Sequence, residues 1–374
     1  MPSSQLRQDV LPAARRVVIK LGTQLLTRAD GKLDVAYIGR IARQIVDLRN
    51  GGVEVTMVSS GAIGAGCAEL GLDKRPKHVE RQQAVAAVGQ RLLMTHYHNA
   101  FEKLGLHVGQ LLLTRDDFDD RIRFLNIRNC IGSLHEAGCI PIVNENDTVA
   151  VDELRFGEND LLAALTCNAL RADALVLLTV VPGLLDENGN TVDLIEDLVR
   201  ARELATSRTS ALGSGGMASK LEAARLVTEA GEIAVIAHGR TPGVLRRLFQ
   251  GKPEIGTVLL PSTRKLDSRQ RWIGLTKRPN GIVTVDGGAA RALQQRGKSL
   301  LAIGVVAVEG QFDKGQLLEV CDPKGKPIAR GLSNYRTEEL IAIMGKRSSQ
   351  FEKTLGRTSY AEVIHRDNLV LIGR

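Results

Sequence analysis

The sequence predicts an α/β protein built on a mainly parallel sheet, with a small, mostly β module after it. Short apolar runs alternate with helical periodicity through the first two-thirds of the chain, the rhythm of a parallel sheet covered on both faces. Polar and glycine-rich clusters follow several of these runs directly, at the carboxyl ends of strands, where open α/β sheets place ligands. Beyond Pro261 the texture turns to short strands and turns, and the charge shifts with it. Residues 1–260 carry 30 Lys+Arg against 31 Asp+Glu, whereas residues 261–374 carry 20 against 11.

Taken in order, Arg16-Val-Val-Ile-Lys-Leu-Gly22 reads as a buried strand entering a glycine turn, with Lys20 near its end. That lysine either snorkels to the surface or points into a site at the sheet's carboxyl edge. Asp34 caps a helix whose Ile38, Ile41, Ile45 and Leu48 share one face, and Gly51-Gly52 ends it. Val53–Val58 is a second strand, followed at once by Ser59-Ser-Gly-Ala-Ile-Gly-Ala-Gly66. Glycines at 61, 64 and 66 would let a ligand approach the backbone at a helix start; a tight strand-to-helix turn is the alternative. Residues 78–104 read as a helix, Leu106–Leu113 as a strand, and DDFDDR as the cap of the next helix. His96 and His98, two apart on a helix, face different directions and make no metal pair.

Ile140–Val143 feeds the stretch VNENDTVAVDELRFGEND. Four consecutive hydrogen-bonding side chains compete with backbone bonding and suit a loop that grips something small and polar. Asx turns and a helix cap are the alternative. After the LLAALTCNAL helix come the strand Ala174–Thr179 and a second glycine cluster, Gly213-Ser-Gly-Gly-Met-Ala-Ser-Lys220, read as a loop leading into a helix from about Lys220 to Ala230. A lysine in the first turn of a helix is electrostatically unfavourable unless an anion sits there. A strand at Ile233–Ala237 and a helix over about Thr241–Phe249 complete this half, and Trp272 sits in a basic connector.

The 374-residue chain has room for two domains, and 43% hydrophobic with 25% charged residues is globular rather than disordered composition. Neither a signal peptide nor a membrane-length apolar run is present, so a cytoplasmic protein is expected. The five cysteines are scattered without a CxxC, which argues against a disulfide framework and against a zinc site.

KLGT at 20–23, SSGAIGAG at 59–66, VGQLLLT at 108–114, NEND at 144–147, GEND at 157–160 and GSGGMASK at 213–220 together resemble the glutamate 5-kinase family, in order and spacing. The segment after Gly281 resembles the PUA domain of the bacterial members. The resemblance implies an amino-acid kinase three-layer sandwich over residues 1–262, a basic linker over 263–279 and a PUA domain with tail over 280–374. It implies transfer of the ATP γ-phosphoryl group to the side-chain carboxylate of L-glutamate, the first step of proline biosynthesis, with Mg2+ carried on the phosphates and no metal-ligating residue assigned.

The family's catalytic residues fall on Lys20, Lys220 and Asp160, with Asp160 holding the two lysines in place. The amino-acid substrate falls on Ser60, Asp147 and Asn159. In that reading Asp147 pairs with the ammonium, while the Ser60 hydroxyl and Asn159 amide fix the carboxylates. ATP falls on Lys20, on Thr179-Val180, and on Ser214, Gly215, Gly216, Met217, Ala218, Ser219 and Lys220. Where the family reads Thr-Asp this chain has Thr179-Val180, which puts that side-chain contact to the nucleotide in doubt. A homo-oligomer is expected, with proline as feedback inhibitor and RNA binding by the PUA domain left open. The alternatives are a kinase of the same fold for another carboxylate, or an RNA-binding accessory protein; RNA binding should depend steeply on salt.

Overall fold

Strand β1 (Arg16–Leu21) lies in the middle of the main sheet, and its six residues decide how the site is built. Val17, Ile19 and Leu21 point to one face, where they pack with Ile38, Ile41 and Ile45 of the Val35–Asn50 helix. The Val79–Glu102 helix adds Leu93, Tyr97 and Phe101 to this cluster, and the Val244–Phe249 helix adds Leu245 and Leu248. Val18 and Lys20 point to the other face, and there β1 packs against the Asp160–Leu170 helix. Apolar residues on both faces make a strand that must be covered twice, and each buried Leu, Ile or Val contributes roughly 1.5–3 kcal/mol.

The computed structural model describes residues 9–28, 30–150, 159–206, 214–252, 255–261, 268–356 and 360–372. The chain divides into two units, Met1–Lys265 and Leu266–Arg374. In the first, the described residues form an eight-stranded sheet in the order β3-β4-β2-β1-β5-β7-β8-β6. Here β2 is Glu54–Val58, β3 Val108–Leu113, β4 Ile140–Glu145, β5 Ala174–Thr179, β6 Leu194–Ile195, β7 Ile233–His238 and β8 Thr257–Leu259. All pairings are parallel except β7 with β8. Helices Arg121–Glu136, Asp160–Leu170 and Ser214–Glu229 cover the second face, so the unit has three layers.

Caps expected from the sequence are in place. Asp34 accepts from Tyr37 N at 2.9 Å, and Asp120 accepts from Ile122 N and Arg123 N. Two other expectations change. The four polar residues of NEND do not all lie in a loop, because Asn144 and Glu145 continue β4, buried and in register with Leu112 and Leu113. The glycine cluster before Lys220 is not an open loop either: the helix starts at Ser214, six residues before the lysine. Intrinsic propensity is a weak determinant, and packing of this helix against the Asp160–Leu170 helix outweighs it.

The third glycine of SSGAIGAG also changes role. A Cβ at Gly66 would stand 1.9 Å from Val85 O, and one at Gly89 would stand 1.9 Å from Ala62 O. These two glycines let the Ala62–Glu69 and Val79–Glu102 helices cross at backbone contact, so Gly66 serves packing rather than ligand approach.

The second unit has a five-stranded sheet in the order β11-β9-β12-β13-β15 among the described residues, with β9 and β12 parallel and the other pairs antiparallel. These strands are β9 Gly281–Val285, β11 Val305–Gly310, β12 Leu317–Cys321, β13 Pro327–Leu332 and β15 Leu369–Leu371, while β10 Leu300–Leu301 and β14 Glu362–Ile364 pair antiparallel apart from them. Val283, Val320, Ile328, Leu340 and Phe351 lie in one core. The stretch expected as a linker is part of this unit from Ser268 on. It forms Ser268–Arg271 and a π-helical turn, Trp272–Thr276, with Trp272, Ile273 and Leu275 buried. Arg330 Nη1 donates to Gly274 O at 3.1 Å and ties the turn to β13.

Candidate active site

Three ionised side chains meet beneath the carboxyl edge of the sheet. Lys20 comes from β1, Asp160 from the first turn of the Asp160–Leu170 helix, and Lys220 from the second turn of the Ser214–Glu229 helix. Lys20 Nζ lies 2.8 Å from Asp160 Oδ1, and Lys220 Nζ lies 3.1 Å from Asp160 Oδ2. Asp160 is 0% exposed and the lysines 1% and 5%. Lys220 also reaches back four residues to donate to Gly216 O at 2.9 Å. Its ammonium therefore sits against the glycine-rich first turn, although its Cα lies further along the helix. Ser219 Oγ donates to Asp160 Oδ2 at 2.8 Å and completes the carboxylate's surroundings. A carboxylate in a helix's first turn is favoured by the helix dipole, which helps fix Asp160 where it can hold both cations.

Among the described residues, one carboxylate lies between two ammoniums in a region shielded from water. A buried ammonium acts on a nearby anion far more strongly than it would at the surface. A buried ion pair adds little stability in itself, so a triad of this kind points to function rather than to folding.

Next to Asp160 along the chain, Asn159 lines a cavity of about 620 Å³. Ser60, Gly61, Asn144, Glu145, Asp147, Lys32 and Arg75 line it too. Ser60 and Gly61 arrive from the end of β2, and Gly61 takes φ +95 to begin the following helix. Asn144 and Glu145 arrive from β4, and Asp147 from the turn after it. Burial pushes the Asp147 carboxyl up to about 6, with Arg75 pulling weakly the other way. No described residue hydrogen-bonds this carboxylate.

At the other two expected substrate residues the hydrogen-bond donors are directed into the protein. Ser60 Oγ donates to Leu21 O at 2.6 Å. Asn159 Nδ2 donates to Ser59 O and to Asn144 Oδ1, each at 2.7 Å, and makes no helix cap. Both donors are engaged within the protein, so neither side chain is arranged to donate to a substrate carboxylate. Each offers an oxygen instead.

The structure thus brings Lys20, Asp160, Lys220 and Ser219 together, and brings Ser60, Asp147 and Asn159 to one cavity, with the Asn159-Asp160 peptide joining the two groups. Thr179 ends β5 beside the Gly22 turn, where a Cβ on Gly22 would lie 4.0 Å from Thr179 Cα. Val180 is 37% exposed. Ser214–Gly216 form the helix start facing Lys220's ammonium, while Gly213, Gly157 and Glu158 lie outside the described residues. Sequence reasoning missed Gln90, Tyr97 and Arg75. Gln90 Oε1 accepts from Asn144 Nδ2 at 2.6 Å, and Tyr97 OH lies 2.9 Å from Ser59 Oγ. Both come from a helix that reads in sequence as ordinary core.

Comparison with known proteins adds an independent line. Residues 15–237 match the amino acid kinase family and residues 281–355 match the PUA domain. The glutamate 5-kinase of Methylococcus capsulatus is 45% identical over 372 residues, covering 97% of this chain and 99% of that protein. The glutamate 5-kinase of Geobacter sulfurreducens is 44% identical over 374 residues, covering 98% of this chain and 100% of that protein. Among solved structures, a carbamate kinase from Giardia lamblia bound to AMP-PNP aligns at TM-score 0.48 and 20% identity, over 67% of this chain and 99% of that one.

Proposed function

The chain belongs to the amino acid kinase family and, by its full-length similarity, to the glutamate 5-kinases that carry a PUA domain; on that premise we propose that it transfers the γ-phosphoryl group of ATP to the side-chain carboxylate of L-glutamate. The product is L-glutamyl 5-phosphate, and the reaction is the first step of proline biosynthesis. The observation that carries the site assignment is the pair of buried lysines bridged by Asp160 beside the cavity that holds Asp147.

The chemistry suits these residues. A glutamate side chain is already ionised at neutral pH, so the nucleophile needs no general base. The attacking oxygen forms a bond to the γ-phosphorus as the bond to the β-γ bridging oxygen breaks, and ADP leaves. Attack of one anion on another needs positive charge around the moving group, with little covalent help from the protein. Lys20 and Lys220 supply that charge. Asp160 keeps them apart and aimed, and Ser219 steadies Asp160. The helix start at Ser214, Gly215 and Gly216, with Met217, Ala218 and Ser219, offers backbone N–H groups to the nucleotide's phosphates. Thr179 and Val180 line the nucleotide side, with Val180 in apolar contact.

In the cavity Asp147 meets the substrate ammonium. Arg75, Lys32 and the N–H groups at the start of the Ala62–Glu69 helix are the groups available to the α-carboxylate. Among the described residues no three His, Cys, Asp or Glu converge as a metal cage, and Asp160 is already bridged by cations. This donor set does not fit a protein-held ion, so Mg2+ is assigned to the nucleotide's phosphates.

The test is ADP release from ATP in a coupled assay, with L-glutamate compared against carbamate, aspartate and N-acetylglutamate. Glutamate should be strongly preferred. Preference for another acceptor overturns the substrate, and no acceptor-dependent ADP overturns the kinase. The same proposal includes a homo-oligomer in the cytoplasm, inhibition by proline, and RNA contact through the basic second unit. Light scattering, proline titration and salt-dependent RNA binding check these. Among the described residues no helix is long and apolar enough to cross a membrane.

A further inference from the structure

We infer that Gln90 is a positioning residue for substrate specificity: through Asn144 it supports the orientation of the Asn159 amide, so that Ser60 Oγ, Asn159 Oδ1 and the Asp147 carboxylate turn acceptors toward the substrate's ammonium. The inference rests on the glutamate kinase reading and deepens it.

A chain of amide hydrogen bonds with a fixed direction links Ser59 O to Gln90. Ser59 O is a carbonyl and can only accept, so the Asn159 amide must turn its nitrogen toward it. The same nitrogen donates its second hydrogen to Asn144 Oδ1. Asn144 must then present its own nitrogen outward, and Gln90 Oε1 accepts from it at 2.6 Å. Asn144 is 2% exposed, so either amide turned the wrong way would leave two buried donors facing each other. Ser59 O thus holds one hydrogen of the Asn159 amide, and Gln90, by accepting from Asn144, keeps Asn144 Oδ1 turned toward the other, so that Asn159 offers its oxygen to the cavity. Ser60 is fixed in the same sense by donating to Leu21 O.

Gln90 is held at this spot by its neighbour. Gly89 lets its helix approach Ala62 O so closely that no Cβ would fit. The Gln90 Nε2 group is buried and finds no partner among the described residues, so the contribution of this side chain lies in its acceptor oxygen. A residue kept for packing alone would not need that oxygen.

The experiment compares wild type, Gln90→Met and Gln90→Glu in the full chain, measuring the KM for L-glutamate, the KM for ATP, and the inhibition constant of glutarate. Glutarate has both carboxylates and no ammonium. Methionine keeps the volume and removes the acceptor, whereas glutamate keeps an acceptor oxygen in either protonation state. Gln90→Met should raise the glutamate KM by roughly tenfold, the loss expected for one hydrogen bond to a charged group. It should leave the glutarate constant and the ATP KM within about twofold. Gln90→Glu should resemble wild type. Should Gln90→Met be insoluble, Gln90→Lys, which offers only donors, carries the same comparison. Equal weakening of glutamate and glutarate, or equal damage from Gln90→Glu and Gln90→Met, would overturn the inference. A wild type with no glutamate-dependent ADP release defeats the kinase reading instead, so the two failures are distinguishable.

Discussion

Replacing Asp147 with asparagine should move binding and stability in opposite directions. Burial raises the Asp147 carboxyl from the ordinary 3.8 to about 6. In the unfolded chain the same group releases its proton near pH 4. Between about pH 4 and pH 6 the native state therefore binds more protons than the unfolded state, and stability falls as pH rises through that window. Above pH 6 the penalty is complete, and at about 1.4 kcal/mol per pKa unit it comes to roughly 3 kcal/mol as an upper figure. Asp147→Asn removes it. The variant should melt several degrees higher than wild type at pH 8, and this gain should vanish below pH 4. Binding responds the other way. A charge-assisted bond to the substrate ammonium contributes about 1.5–3 kcal/mol, so the glutamate KM should rise by one to two orders of magnitude while the ATP KM stays put. In the wild type, the glutamate KM should also climb as pH drops below about 6, and the variant should lose that dependence. Thermal unfolding at the two pH values and steady-state kinetics in both substrates provide the data. A variant less stable than wild type at pH 8, or one that weakens ATP and glutamate alike, would refute the placement of this carboxylate.

Three further outcomes follow from the same geometry. Lys220→Ala should lower kcat by roughly a hundredfold or more with the fold intact, since it removes one of two cations at the transfer point; unchanged kcat with lowered Tm would make the lysine structural. Gly89→Ala should destabilise the first unit by about 1–3 kcal/mol or more in denaturant unfolding, because its Cβ meets a backbone carbonyl at 1.9 Å; a neutral effect would mean the helix crossing is loose. Val180→Asp should sharpen ATP over GTP by about 1–2 kcal/mol in kcat/KM, and an unchanged ratio would leave Val180 as packing.

The strands were legible because their signal is local. Apolar runs such as Val17–Leu21 and Ala174–Thr179 must be buried on both faces, and no distant partner is needed to see it. The same rule misassigned Asn144 and Glu145, which sit in a strand while carrying polar side chains. Asn144 is tolerated there only because Gln90, 54 residues away, and Asn159, 15 residues away, satisfy its amide. Partners at such separations leave no trace in local pattern. The Ser214 helix start was hidden for the related reason that three glycines in eight residues weaken a helix that tertiary contacts then enforce.

These departures from local rules are not scattered. Asn144 breaks the strand pattern, Ser214–Gly216 break helix propensity, Asp160 and the two lysines break the rule against buried charge, and all of them converge on one site. A sequence that otherwise agrees with its fold at every level departs from it where chemistry demands something the fold alone would not choose. The converse also holds: Gly66 obeys every expectation of a ligand-binding glycine in sequence, yet it packs against Val85. A motif therefore locates the neighbourhood of a site, and only the hydrogen-bond directions among its side chains decide which atoms face the ligand. At Asn159 that distinction turns an oxygen rather than a nitrogen toward the cavity, and under the proposed function the glutamate-against-glutarate comparison reads the difference directly.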